Sequence, residues 1–379
     1  MKLKTLVAGL TGVALAMSMA ACSQDRNATG GTSTSGAATT ATSTDGGLVG
    51  IAMPTKSLER WNNDGAHLVE VLEGMGYTTS LQYADNKVDQ QISQIQNMIN
   101  SDPKVLVIAS IDGTALSPVL QTAADKGIKV IAYDRLINDT PNVDYYATFD
   151  NYQVGKLQGT YIEEQLDLKN AAGPFNLEPF AGSPDDNNAK FFFSGAWDIL
   201  SPYVTSGKLV VPSGKAPATN DDWASIGIQA WKSETAQSEM QNRLNSFYTG
   251  GKKVNAVLSP NDSLALGIEQ ALEGAGYTVG TDWPIITGQD ADLANVKNML
   301  DGKQSMTVWK DTRSLGDQVA KMVDQIIKGS KVDTNDTETY DNGNKVVPSY
   351  LLDPQVVTKD TVESALVGSG FYTADQLGL

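Results

Sequence analysis

The sequence predicts an α/β fold built as two similar lobes, each a parallel sheet flanked by helices. Three observations predict it. Short apolar, β-rich runs alternate with longer helix-period patterns from residue 48 to residue 149. The same alternation restarts after Phe149 and continues to Trp309. Two helix ends are near-copies, Gly74-Met75-Gly76-Tyr77-Thr78 and Gly274-Ala275-Gly276-Tyr277-Thr278. Strands alternating with helices at this spacing form βαβ units, and those require a parallel sheet.

The elements follow in order. In the first lobe a strand over 48–53 leads to a helix over 60–75, closed by Gly76. A strand over 79–83 and a helix over 88–100 come next. Residues 105–108 are wholly apolar, the mark of a strand buried on both faces. A helix over 118–126 ends at Gly127, followed by strands over 129–133 and 145–149. In the second lobe, a helix over 154–166 precedes a strand over 175–180. A helix begins at 191–200, a short strand lies at 208–211, and a long helix runs over 231–248. Strands over 254–258, at 285–286 and over 306–309 alternate with helices over 264–272 and 293–300.

The N-terminus reads differently. Lys2 and Lys4 precede an apolar stretch over 6–20, shorter than the roughly 20 residues of a membrane span. It ends in Met19-Ala20-Ala21-Cys22, with small residues just before the only cysteine. The pattern resembles the bacterial lipobox. Residues 1–21 are therefore expected to be a signal peptide and Cys22 a lipid attachment point, anchoring the chain to the outer face of a membrane or in the periplasm. Residues 22–46 hold Gly, Ser and Thr and no large apolar side chain, which predicts a flexible linker. Such a linker spans about 25–30 Å.

About 330 residues remain, enough for two domains with real cores. The net charge is −16, and loss of residues 1–21 with their two lysines makes it −18. So acidic a chain repels phosphate backbones, which argues against a nucleic-acid partner. With Cys22 committed to lipid, no disulfide is expected. A single histidine, His67, and no free thiol argue against metal sites, cofactors and cysteine chemistry.

In open parallel sheets, ligands bind outside the carboxyl ends of the strands. Here those ends carry polar clusters: Asp134-Arg135, Asp150-Asn151, Asn261-Asp262, Gln289-Asp290 and Lys310. One charge at a strand end is usually a helix cap. Five clusters from both halves exceed what capping needs, and they predict the lining of one small-ligand site. Carboxylates accept, amides donate and accept, and Arg and Lys donate. Trp61 and Trp223 lie near loops, and their indole faces suit the apolar faces of a pyranose ring. Trp197 and Trp231 sit on helical spacing and are assigned to the core.

These segments resemble the sugar-binding branch of type I periplasmic binding proteins, in particular its xylose-binding and multiple-monosaccharide-binding members. The resemblance covers residues 50–358. It is carried by IAMPTKSLERW (51–61), KVLVIASIDGTALSPVL (104–120), GIKVIAYDRLI (127–137), YYATFDNYQVGKLQG (145–159), GSPDDNNAK (182–190), PND (260–262), GQDAD (288–292) and MTVWK (306–310). It implies two Rossmann-like lobes joined by a three-strand hinge, closing on one sugar. The lobes would be 47–152 with 311–344, and 153–310 with 345–379. Carried over residue by residue, Arg60, Asp134 and Arg135 meet hydroxyls and Trp61 a ring face. Asp186, Asn188 and Lys190 come from the 182–190 motif, and Trp223 stacks on the opposite face. Asn261, Asp290 and Lys310 complete the set, with Asn151 beside the hinge. The acidic stretch 333–344 is expected to be a solvated loop.

The family implies a monomeric substrate-binding component of a monosaccharide ABC importer. Its ligand would be an aldopyranose such as xylose, glucose, galactose or arabinose, and its partner a membrane permease. A second reading is a sensory one, with sugar presented to a chemoreceptor or sensor kinase. A remote third is a glycosidase using Asp134 and Asp290. Arg135, directly after Asp134, favours an ionised carboxylate and disfavours the protonated acid that hydrolysis needs.

Overall fold

The computed structural model describes residues 46–379. The expected signal peptide, Cys22 and all but the last residue of the linker lie outside the described residues.

The first lobe opens with β1 (Leu48–Met53), α1 (Glu59–Gly74), β2 (Thr78–Tyr83), α2 (Val88–Asn100), β3 (Val105–Ile108), α3 (Ser117–Asp125), β4 (Lys129–Tyr133) and β5 (Tyr145–Phe149). The chain then crosses over and builds α4 (Asn151–Gln165), β6 (Phe175–Pro179), α5 (Asn187–Thr205) and β7 (Leu209–Val210). It continues through α6 (Ser233–Phe247), β8 (Ala256–Leu258), α7 (Asp262–Gly274), β9 (Ile285–Ile286), α8 (Leu293–Leu300) and β10 (Met306–Trp309). Then α9 (Thr312–Ile327) and β11 (Ser349–Leu352) return to the first lobe, while β12 (Gln355–Thr358) and α10 (Ala374–Leu377) belong to the second.

The first sheet has strand order β11-β5-β4-β3-β1-β2 and is parallel throughout. The second runs β7-β6-β8-β9, also parallel. A parallel bridge between Gln289 and Val308 adds the antiparallel pair β10-β12 to its edge. The two halves thus repeat one strand order. Each reverses direction beside its first strand, between β1 and β3 and between β6 and β8. Crevices form at such switch points.

Burial explains the layers. Val49, Ile51 and Met53 of β1 pack with α1 and α9 on one face of the first sheet. Ala52 of β1, with Leu106 and Ile108 of β3, packs with α2 and α3 on the other. Side chains of a strand alternate between faces, so strands covered on both sides must be apolar throughout. Each large side chain so buried contributes about 1.5–3 kcal/mol. In the second lobe α4 and α5 lie close enough that a methyl on Gly155 would overlap the Phe192 carbonyl. A methyl on Gly195 would overlap that of Tyr152.

Several expectations need correction. The boundary at 344/345 is misplaced: β11 pairs with β5 in register Ser349 to Tyr146 through Leu352 to Phe149, so the crossing falls at Asp353-Pro354. The stretch 333–344 is not simply solvated. Tyr340 is buried with its ring 5.0 Å from that of Tyr146, and buried Asn342 donates to the Ile137 and Thr140 carbonyls at 3.0 and 2.8 Å. The helix expected from residue 231 begins at Ser233. Ala230 and Trp231 before it adopt left-handed backbone, φ 56° and 53°. Two helices start earlier than expected, α4 at Asn151 capped by Asp150 and α5 at Asn187 capped by Asp186.

Candidate functional site

The two crevices face one another, and one cavity lies between them. It encloses about 300 Å³ of space not filled by atoms. The first lobe contributes Leu58, Arg60 and Trp61 from the start of α1, with Asp134 and Arg135 from the end of β4. The second contributes Asp186, Asn188 and Phe192 from the start of α5, with Trp231, Asn261, Gln289, Asp290 and Lys310.

Local structure fixes these side chains. Asp134 turns into the cavity through left-handed backbone, φ 59°. That conformation is costly for a residue with a Cβ. Three donors hold it there: Tyr146 Oη, Thr148 Oγ1 and Asn188 Nδ2 reach the Asp134 carbonyl at 2.8, 2.9 and 2.6 Å. Asp290 is also left-handed, φ 97°, and is pinned by its own N–H donating to the Val308 carbonyl at 2.9 Å. Asp186 caps α5 by accepting from the Asn188 N–H, and Asn261 caps α7 by accepting from the Leu264 N–H. Capping satisfies orphan helix N–H groups and fixes each rotamer at a helix mouth.

Charge is balanced across the cavity. Arg60 donates Nη2 to Asp134 at 2.9 Å, Nη1 to Asp290 at 3.4 Å and Nε to Asp64 at 3.3 Å. Lys310 Nζ lies 2.9 Å from Asp290 Oδ1. Arg135 Nε lies 2.9 Å from Asp186 Oδ2, but its N–H is not aimed at that oxygen and has no hydrogen-bond partner among the described residues. The three cations that line the cavity thus face three carboxylates. Burial pushes the Asp134 carboxyl up, but Arg60, Lys310 and Arg135 outweigh it and hold Asp134 below the ordinary range. Asp186 goes the other way, because burial outweighs Arg135. Asp64, behind Arg60 and accepting from Tyr133 Oη, is raised by burial to about 6.

Apolar surface completes the wall. Trp61 and Trp231 bring indoles from opposite lobes, and Trp231 Nε1 donates to Asp186 Oδ2 at 3.2 Å. The guanidinium carbons of Arg60 and Arg135 lie 4.5 and 5.1 Å from the Trp61 ring centroid. Lys310 Nζ lies 5.3 Å from the Phe192 ring. Two further buried lining atoms, Trp61 Nε1 and Gln289 Oε1, have no partner among the described residues. A donor and an acceptor left over in a polar cavity match hydroxyl groups, which both give and take hydrogen bonds.

Nine of the twelve residues singled out in the sequence border this cavity: Arg60, Trp61, Asp134, Arg135, Asp186, Asn188, Asn261, Asp290 and Lys310. Three do not. Asn151 is buried at the crossing from β5 to α4, where its Nδ2 lies 3.4 Å from Tyr146 Oη and 3.5 Å from Thr148 Oγ1. Lys190 sits two positions after Asn188 on α5. That spacing points it away, and it pairs with Asp221 at 3.1 Å. Trp223 lies on a 3-10 segment, Asn220–Ile226, and faces a different, outer cavity. Its expected place is taken by Trp231, which the left-handed pair Ala230-Trp231 throws inward. Phe192 was missed although it stands one helical turn after Asn188, while Gln289 was read in the polar cluster with Asp290 but not named among the ligand-binding residues.

Residues 49–331 match the model of the periplasmic binding protein domain. The chain belongs to this family. As a periplasmic binding protein it is 52% identical to the multiple sugar-binding periplasmic receptor ChvE of Rhizobium radiobacter, over 88% of this chain and 93% of that one. It is 38% identical to the D-xylose-binding periplasmic protein of Haemophilus influenzae, over 87% and 91%. An ABC transporter solute binding protein from Clostridium phytofermentans, solved with bound β-D-glucose, is 55% identical. It superposes with a TM-score of 0.83 over 87% of this chain and 99% of that one. The fold is the type I arrangement of this family, with two parallel sheets flanked by helices.

Proposed function

We propose that this protein is the sugar-capturing component of a monosaccharide ABC importer. It binds one neutral aldopyranose, such as xylose, glucose, galactose or arabinose, between two lobes that close. The observation that carries the reading is the charge-balanced lining. Three cations answer three carboxylates, and indoles and amides complete the wall. Such a surface gives no advantage to a charged ligand and gives many hydrogen bonds to a neutral polyol. Similarity to sugar-binding periplasmic proteins supports it.

Closure supplies the mechanism. Each lobe holds part of the lining, so a ligand that touches both binds the closed form better and shifts the population toward it. The closed form then docks on a permease. The protein works outside the cytoplasm, as its family does, and a lipid on Cys22 with the 22–46 tether would keep it beside that permease.

The same chemistry speaks against cleavage by Asp134 and Asp290. A glycosidase keeps one carboxyl protonated as general acid. The cations around Asp134 hold it ionised, and Asp290 Oδ1 receives both Lys310 and Arg60. Calorimetric titration with xylose, glucose, galactose and arabinose tests the reading. At least one sugar is expected to bind with micromolar or tighter affinity, about −8 kcal/mol or better. Binding of none of them overturns the sugar reading, and release of product from an aryl glycoside overturns binding without catalysis.

A further inference from the structure

The segment that carries Asp186 and Asn188 has a second face. It runs extended into α5, with Asp186 at φ −104° and ψ 113°. Successive side chains point to opposite sides in the extended part, and adjacent positions at the start of the helix do not share a face either. Asp186 and Asn188 border the inner cavity, while Asp185 and Asn187 border an outer one that is open to solvent. The far walls repeat the pattern, with Trp231 on the inner cavity and Trp223 on the outer. The first lobe reaches both, and on the outer cavity it supplies Asp112 and Asn138. Each cavity therefore holds a carboxylate, an amide and an indole on the second lobe, facing polar side chains of the first.

The outer set is ready to bind. Ser183 Oγ and Gln229 Nε2 donate to the Asp185 carboxylate and fix it. The side-chain amides of Asn138 and Asn187 have no hydrogen-bond partner among the described residues, and both are half-buried. The one cation on this wall, Lys190, is paired with Asp221. Two carboxylates, Asp112 and Asp185, make this wall acidic and repel an anion, while the free amides and the small exposed part of Trp223 offer hydrogen bonds and some apolar surface to a ring carrying hydroxyls.

We propose that the outer cavity is a second saccharide subsite, which takes a neutral sugar ring on the closed protein and bridges the two lobes at the rim of the cleft. The proposal rests on the sugar-binding reading of the inner cavity. A sugar held there touches both lobes, so it adds to the stability of the closed form and slows release from the inner site.

Native mass spectrometry and calorimetry of the full chain with D-glucose test this, each performed on wild type and on N138A/N187A. Two glucose molecules per chain are expected at saturation, the second with millimolar affinity. N138A/N187A is expected to lose the second and keep the first, and W223A, which also touches the core, to do the same if it folds. Cellobiose separates the two sources of such a ring. One disaccharide per chain, weakened by N138A/N187A, places two linked rings in the two cavities, and glucose pairs alone place two free ones. A single glucose per chain, with neither sugar affected by N138A/N187A, overturns this proposal and leaves the inner site standing. Absence of both events overturns the sugar reading with it.

Discussion

Arg60 holds three carboxylates at once, and Asp134 and Asp290 among them come from different lobes. A buried charge that loses its partner costs about 3–5 kcal/mol. Asp290→Ala strands Lys310 and part of Arg60, so sugar affinity should fall by at least about a hundredfold in calorimetry, which corresponds to about 2.7 kcal/mol. Retained affinity would remove Asp290 from the site. A second residue-scale prediction concerns Glu269, buried in α7 with Oε1 unpartnered among the described residues. Burial raises its carboxyl to about 8 against the opposing effects of Asn298 and Lys303. A folded pKa raised above the unfolded one means the native state binds the proton more tightly. Stability on this account is full below the unfolded pKa and is lost as pH rises toward 8. Each pH unit is worth about 1.4 kcal/mol. Glu269→Gln should therefore melt higher than wild type at pH 8 and equal it near pH 4. A constant difference across that range would reject the assignment. Asp134 and Asp290 were legible in the sequence because each follows an apolar run at a strand end. Trp231 was not, because its place depends on two left-handed residues that no periodicity announces. Lys190 was misread because a motif gives neighbours in sequence, while a helix turns every second residue away.

The elements that carry the site are held by close backbone contact. Gly155 on α4 and Gly195 on α5 let two helices approach until each meets the other's carbonyl. This contact sets α5, and with it Asp186, Asn188 and Phe192. Gly155→Val forces the pair apart, and overpacking of this kind costs about 1–3 kcal/mol. Urea unfolding should show that loss, and calorimetry should show weaker sugar binding. Full affinity in a destabilised variant would separate the packing from the site. Strands with wholly apolar sequence, such as β3, were readable because burial on both faces leaves no other composition open. The pair β11 and β12 was not. Ser349–Leu352 and Gln355–Thr358 are short and mixed, and their partners β5 and β10 lie far off in sequence. Nothing local tells a strand which of two sheets it will join.

At the scale of the molecule the lobes touch across the cleft through Arg135 with Asp186, Arg60 with Asp290 and Tyr372 Oη with Glu59 at 3.3 Å. These bonds tie the two lobes together across the cleft, in addition to the chain crossings between them. Sugar at about a hundred times its dissociation constant should stabilise the fold by about 2.7 kcal/mol, read as a rise in melting temperature. Small-angle scattering should show a smaller radius of gyration with sugar than without, and equal radii would argue against closure. Two-lobe organisation was visible in the sequence as a pattern that begins twice. That repetition has one more consequence. Asp134 follows β4 and Asp290 follows β9, the corresponding strands of two sheets with one strand order, and both are left-handed aspartates gripped by Arg60. The cleft thus has an approximate two-fold axis running between a matched pair of acids. A pyranose has no such axis. A ligand without that axis must then take its orientation from the groups that differ between the two sides, the Arg60 guanidinium beside Trp61 on one and the Lys310 ammonium beside Phe192 on the other.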